Sequence, residues 1–456
     1  MSTSRHPVGG PLRLSAGLLL AAWLAAGCGS GPASPPSAGS ASPTVAGPSG
    51  AAGATGAGPD ATGATPGASG STPSAAPTAA PGSASWLPAS GATRAADALQ
   101  AELDRLRAAG HLPGLSAAIL FADGSEWQGV SGSADLAAGR SVTPDTLFSV
   151  GSITKTFVAA LVLRLADEGR LGLDDPIARW LSSYPDAARI SVRELLEHRG
   201  GVPDFFDSAA CVDRIVAAPE VAWMPSQVLA CAGRPTAAPG TAFHYSNTGY
   251  VLLGRIVEAV TGTSLAAALE AEFLAPFSLD RVVLQGTDAA DVPAPPIAHG
   301  YLAPAAAGGP PLDVTRADRL LPYTSLATAA GAAGALAATP TDLARWARSL
   351  FGGAVLDTGT VDEMTTLLPT APDPRGGYGL GVEPFLLAGR PGWGHRGHLA
   401  GFYAEMVYLP RDALAIAVAT NADWAAPDAL TAALVRVALP APDPSRRRGP
   451  RGGTSE

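Results

Sequence analysis

Ser152-Ile153-Thr154-Lys155 sets a hydroxyl three residues before an amine. On a helix that spacing puts both groups on one face, within reach of each other. The free N–H groups and partial positive charge of a helix N-terminus favour negative charge on the serine or on an oxyanion. Phe157, Val158 and Ala159 would pack around the amine, and desolvation favours its neutral, proton-accepting form. Lys155 is also the only lysine among 30 Lys and Arg side chains. Arginine, used everywhere else, cannot give up its proton in a protein. A lone lysine therefore marks a site that needs a titratable amine; chance retention on a helix surface is the competing explanation.

Two further clusters carry chemistry. Tyr245-Ser246-Asn247 follows Pro239-Gly240 and contains one of only two asparagines in the chain. A phenol near a lysine can shuttle a proton, and an amide side chain can hold both the N–H and the C=O of a peptide-like substrate. A buried tyrosine beside a helix-capping Asn247 is the alternative. Gly394-His395-Arg396-Gly397-His398 places two histidines among glycines at the start of a strand. His-x-x-His invites a metal, but no third ligand lies nearby and no His-Glu-x-x-His occurs. Neither a metal nor a cofactor is implied. Glycine there suits close approach of a substrate backbone. Arg396 could take a substrate carboxylate in a bidentate pair or be a solvated strand residue.

These clusters need elements to hold them. Residues 92–109 read as an amphipathic helix. Residues 114–121 and 127–130 flank Asp123-Gly124, a hairpin signal. A long helix is expected from 152 to about 168, ended by Gly169, and another over 251–260, ended near Gly262. Thr339-Pro340-Thr341-Asp342 opens a further helix with Thr or Asp as cap. Residues 403–409 and 413–420 flank Pro410-Arg411-Asp412 as a second hairpin, and a last helix covers 427–438. Strands at both ends with helices between predict one antiparallel sheet built from the two termini, with a helical insert over about 151–310.

The flanks read differently. Arg5 and Arg13 precede an apolar run over 14–26, too short to span a bilayer as a mature helix. Leu24-Ala25-Ala26-Gly27-Cys28 resembles a bacterial lipobox, so residues 1–27 are expected to be a signal peptide and Cys28 a lipidated N-terminus; ordinary secretion is the alternative. Residues 28–87 are almost wholly Gly, Ala, Ser, Pro and Thr, a tether with a reach of roughly 40 Å. The folded domain is expected over 88–440, and the Arg-rich residues 441–456 read as a disordered tail. The protein is thus expected to be exported and lipid-anchored on the extracytoplasmic face of the membrane. In that oxidising setting Cys211 and Cys231 form a candidate disulfide, with two buried free thiols as the alternative. A net charge of -9 argues against nucleic acid as a partner.

In order, Ser-x-x-Lys, Tyr-x-Asn and His-x-Gly resemble the serine β-lactamase-like family. That family includes class C β-lactamases, D-alanyl-D-alanine carboxypeptidases, esterases and aminopeptidases. Leu195-Leu196-Glu197-His198, Pro239-Gly240-Thr241 and Ala419-Thr420-Asn421 are also similar, and the resemblance covers residues 95–438. It implies an α/β (α+β) fold, an antiparallel sheet flanked by helices plus a helical subdomain, with the site between them. It implies Ser152 as acylated nucleophile, Lys155 and Tyr245 as proton relay, and Asn247 as holder of the substrate amide. His395 and Gly397 would form the third wall, and the N–H groups of Ser152 and His398 the oxyanion hole. His-Arg-Gly stands where relatives have Lys-Thr-Gly, and Ser246 where class C enzymes have Ala. These departures point to a carboxypeptidase- or esterase-like serine hydrolase acting on an amide or ester, with a peptidoglycan D-Ala-D-Ala end as one such substrate. A weak class C-like β-lactamase and a non-catalytic wall-binding protein are the alternatives.

Overall fold

The structure, a computed structural model, describes residues 89–286, 297–304, 309–315, 324–368 and 376–439. The expected signal peptide, Cys28, the tether and the Arg-rich tail lie outside the described residues. Seven strands form the main sheet: β1 (Gly114–Leu120), β2 (Glu126–Asp135), β3 (Arg140–Ser141), β4 (Glu383–Leu387), β5 (Arg390–Leu399), β6 (Phe402–Leu409) and β7 (Leu414–Thr420). Their order is β3-β2-β1-β7-β6-β5-β4, antiparallel throughout. An early and a late strand, β1 and β7, meet at its centre, where Leu115 pairs with Thr420 and Ile119 with Ile416. The sheet built from both termini, expected from the sequence, is present.

The helices that matter here are α1 (Ala89–Ala109), α2 (Thr154–Asp167), α3 (Val192–Leu196), α4 (Ala209–Ala217), α5 (Pro225–Ala232), α6 (Asn247–Thr261), α7 (Pro340–Phe351) and α8 (Pro427–Ala438). Strand β7 shows how the layers sort. Side chains alternate across a strand, and here Leu414, Ile416 and Val418 join a cluster with Leu99 and Leu103 of α1 and Leu430 and Leu434 of α8. Ala415, Ala417 and Ala419 face the other way, into the larger core with α2 and α7. Small residues on that face let the inner helices approach closely.

Helix α2 is apolar on nearly every side and buried from Thr154 to Leu163. A helix of that composition belongs in a core. Its start differs from expectation. Gly151–Ile153 form a 3-10 turn first, and Gly151 has φ 49, so the nucleophile candidate sits on a tight turn rather than in the α-helix proper. Thr154 Oγ1 donates to the Gly151 carbonyl at 2.7 Å and accepts from Leu336 N at 3.1 Å, which pins that turn. Helix α6 begins at the Ser246 cap and ends at left-handed Gly262. Thr339 caps α7 with Pro340 in its first turn, as read from the sequence. Strand β7 starts one residue late because Ala413 takes φ 45 in the turn. The segment inserted between β3 and β4 runs from 142 to 382, longer than the expected 151–310, because α7 belongs to it. Cys211 of α4 and Cys231 of α5 are joined as a disulfide across 20 residues.

Trp346 on α7 locks α2 to the sheet. Its ring stacks on Phe157 with centroids 4.0 Å apart, and its N–H donates to Thr156 Oγ1 at 2.9 Å. Trp346→Ala should lower unfolding free energy by about 3–5 kcal/mol, the usual range for truncating a buried Trp. Urea denaturation checks this; a loss below about 1 kcal/mol would show that the inner core does not rest on the Phe157–Trp346 stack.

Candidate active site

The 3-10 turn Gly151–Ile153, running directly into α2, brings Ser152 and Lys155 together. Lys155 Nζ lies 3.0 Å from Ser152 Oγ. The amine is wholly buried, and it also bonds Asn247 Oδ1 at 2.7 Å and the Ala333 carbonyl at 2.8 Å. Asn247 opens α6, so the cap that starts α6 also sets the second support of the amine. Tyr245 stands two residues earlier, with its ring centroid 4.8 Å from Nζ. The three expected catalytic residues therefore share one site.

Strand β5 closes the site through glycines. A Cβ on Gly397 would sit 1.8 Å from the Val150 carbonyl, and one on Gly151 would sit 2.6 Å from the His398 nitrogen. Those contacts forbid any side chain at either position. They bring the His398 backbone against the turn that carries Ser152. The close approach expected of Gly397 is thus to the nucleophile turn itself.

Alternation along β5 corrects the expectation for Arg396. His395 and Gly397 face one side of the sheet, Arg396 and His398 the other. Arg396 bonds Asp428 of α8 through Nε and Nη2, both at 2.7 Å, and Glu383 of β4 through Nη1 at 2.7 Å. Its fork is spent inside the protein, not offered to a substrate carboxylate. The His398 ring stacks on Tyr403, centroids 4.6 Å apart, so only its main chain reaches the site. The two histidines do not converge. Asn247 is also differently engaged: it is 4% exposed, and its Nδ2 donates to Asp204 Oδ2 at 2.7 Å. Its amide oxygen holds Lys155.

An aromatic and imidazole cluster surrounds the amine. His198 lies 4.1 Å from the Tyr245 ring and 4.8 Å from Tyr378, centroid to centroid. It is a buried non-glycine with φ 57, a conformation uncommon outside glycine. Its Nδ1 accepts from Ser246 N at 3.1 Å, so the ring proton is on Nε2. His395 has the opposite tautomer: Nδ1 donates to the Arg396 carbonyl and Nε2 accepts from the Tyr378 hydroxyl at 3.0 Å. Burial holds the His395 imidazole down at about 4; Glu383 opposes this and the Lys155 charge adds to it. Burial, then Lys155, push His198 well below the usual range. Asp204, Tyr250, Tyr378 and Ala333 carried no signal in the sequence reading. Tyr250 could have been found, since it lies three residues after Asn247 on the same face of α6. Ala333 acts through its carbonyl, which no side-chain pattern reveals.

This geometry agrees with what the chain resembles. The beta-lactamase family model matches residues 99–439. The chain belongs to the beta-lactamase family. It is 29% identical over 344 residues to penicillin-binding protein 4 of Amycolatopsis lactamdurans, covering 71% of this chain and 84% of that one. A D-stereospecific amidohydrolase from Streptomyces superposes with TM-score 0.62 at 30% identity, covering 74% of this chain and 96% of the other. The D-amino acid amidase of Ochrobactrum anthropi, complexed with D-phenylalanine, gives TM-score 0.65 at 26% identity, covering 76% and 98%. This beta-lactamase family member is a serine hydrolase, and its fold is the antiparallel sheet with flanking helices that the motifs implied.

The buried imidazoles make a pH prediction. In the unfolded chain they titrate near 6.5, and a folded pKa held lower means stability present above about pH 6.5 and lost as pH falls toward the folded value. Ring nitrogen NMR should show His395 neutral, with its proton on Nδ1, down to about pH 4. A midpoint near 6.5 would contradict the buried placement.

Proposed function

We propose that this chain hydrolyses amides or esters of D-amino-acid compounds through an acyl-enzyme on Ser152. The observation that carries the reading is the buried Lys155 amine, 3.0 Å from Ser152 Oγ. In its neutral form the amine has two hydrogens and one lone pair. Asn247 Oδ1 and the Ala333 carbonyl are placed to accept the two hydrogens. The lone pair is then left for the serine proton. Ser152 Oγ attacks the substrate carbonyl carbon as its proton passes to Nζ. The backbone N–H groups of Ser152 and His398 take the developing oxyanion, a contribution of about 100- to 1000-fold per donor in comparable sites. Collapse breaks the bond to the leaving nitrogen or oxygen, which takes the proton back from Lys155 by way of Tyr245. Water then attacks the acyl-serine by the reverse route and frees the acid.

Two observations favour a simple amide or ester over a peptide that ends in a free carboxylate. The solved relatives are described as a D-stereospecific amidohydrolase and a D-amino acid amidase. A carboxypeptidase must also hold a free terminal carboxylate, for which a fixed guanidinium is the natural partner. The Arg396 fork is committed to Asp428 and Glu383. The likeness to a penicillin-binding protein keeps a peptidoglycan D-Ala-D-Ala end as the second reading.

A panel of D- and L-amino acid amides, p-nitrophenyl esters, D-Ala-D-Ala peptides and nitrocefin separates these readings. D-amino acid amides or esters should be turned over fastest. Ser152→Ala should abolish turnover and labelling by a fluorophosphonate probe. Lys155→Arg, which cannot accept a proton, should cost about 10²- to 10⁴-fold. Equal labelling of wild type and Ser152→Ala would sink the acyl-enzyme.

We further propose that residues 1–87 export the domain and tether it to the membrane through a lipid on Cys28. The support is the run Leu24-Ala25-Ala26-Gly27-Cys28 followed by a stretch almost wholly of Gly, Ala, Ser, Pro and Thr. Expressed in a bacterium with lipoprotein processing, the protein should partition into detergent, and Cys28→Ser should move it to the aqueous phase. Aqueous partition of both forms would leave plain secretion.

A further inference from the structure

We infer that Asp204 is a positioning residue for the base: it fixes which end of the Asn247 amide faces Lys155. The inference rests on Ser152 and Lys155 acting as proposed above. Asp204 is 5% exposed and lies just before the 3-10 turn Phe205–Asp207. Its Oδ1 accepts from Phe206 N at 3.1 Å, capping that turn. Its Oδ2 accepts from Asn247 Nδ2 at 2.7 Å, and Asn247 Oδ1 accepts from Lys155 Nζ at 2.7 Å. Asp204, Asn247, Lys155 and Ser152 thus form one continuous chain of hydrogen bonds.

A side-chain amide has a donor end and an acceptor end of nearly equal shape, and its neighbours decide which way it points. Burial raises the pKa of the Asp204 carboxyl, while the bonds it accepts from Phe206 N and Asn247 lower it; in its ionised form it only accepts, and so draws the NH2 end toward itself. The carbonyl end then meets Lys155 and takes an amine hydrogen. The reversed amide would do the opposite. Its N–H would point at the amine and compete for the lone pair that has to receive the serine proton. Asp204 therefore acts on the reaction through Asn247 without touching the substrate.

Asp204→Asn keeps the cap, because an Asn side-chain oxygen also accepts from Phe206 N, but it then turns its NH2 end to Asn247 and favours the reversed amide. Phosphonylation of Ser152 by a fluorophosphonate probe and its acylation by a D-amino acid ester should both slow about 10- to 100-fold in Asp204→Asn, with KM for the ester changed less than about twofold, as when an orienting carboxylate is lost. Asp204→Ser, which also keeps a cap, should behave likewise. In an Asn247→Ala background Asp204→Asn should change the acylation rate less than about threefold, because the amide through which it acts is gone. A purely structural role predicts instead that the two losses multiply and that the thermal midpoint falls.

One measurement needs no variant of Asp204. The chain has two asparagines, 247 and 421, so asparagine-specific 15N labelling gives two side-chain amide signals, assigned with Asn421→Gln. The Asn247 pair should include one proton shifted downfield and slow to exchange, as a bond to a buried carboxylate requires. Fast exchange of both protons, or wild-type acylation rates in Asp204→Asn, would overturn this role while leaving Ser152 and Lys155 as proposed. A wild type that no probe acylates would overturn both.

Discussion

A primary amine buried with no exposed surface has to find an oxygen for every hydrogen it carries, since a buried donor without an acceptor is costly. Lys155 meets that condition with Asn247 at the start of α6 and the Ala333 carbonyl, and has Ser152 Oγ, on the 3-10 turn before α2, as its third neighbour. Each fixes a different element. Helix α2 must sit with its first turn inward, α6 must start where it does, and the segment that carries Ala333 must close over the amine. The core around α2 is arranged so that one nitrogen can be both dry and satisfied.

The sheet meets this centre by a different rule. Here the constraint is backbone approach, set by two glycines. Gly397 and Gly151 leave no room for a Cβ, so β5 lies directly against the nucleophile turn. The same strand spends its other face on an unrelated task. Arg396 draws Asp428 and Glu383 to one guanidinium and fastens α8 to the sheet edge. A five-residue motif thus divides its work by parity, site on one face and scaffold on the other.

The parts that sequence made legible were those with a residue type and a period. The lone lysine with a serine three positions earlier, the alternation of β7, the Thr339-Pro340 helix start and the cysteine pair all translate directly into structure. Gly397 was also readable, though its close neighbour is Val150 rather than a ligand. Arg396 misled because a cation in a motif looks functional until its partners are known, and those partners lie 13 residues before it and 32 after it in the chain. The roles of Asp204 and Ala333 were not legible at all. One is a carboxylate 43 residues from the amide it orients, and the other contributes only a carbonyl. Contacts that join distant segments through backbone or through acceptor-only groups leave no local pattern.

The pairing of β1 with β7 has a consequence for how the molecule comes into being. The sheet's two central strands are Gly114–Leu120 and Leu414–Thr420, so the register from Leu115↔Thr420 to Leu120↔Ala415 joins residues about 300 positions apart. Closing so long a loop costs entropy before any contact repays it. Until its final strand is made, the chain has no partner for β1 at the centre of the sheet and no complete floor beneath α2. The floor beneath the catalytic amine is therefore complete only once Leu414–Thr420 has paired with Gly114–Leu120.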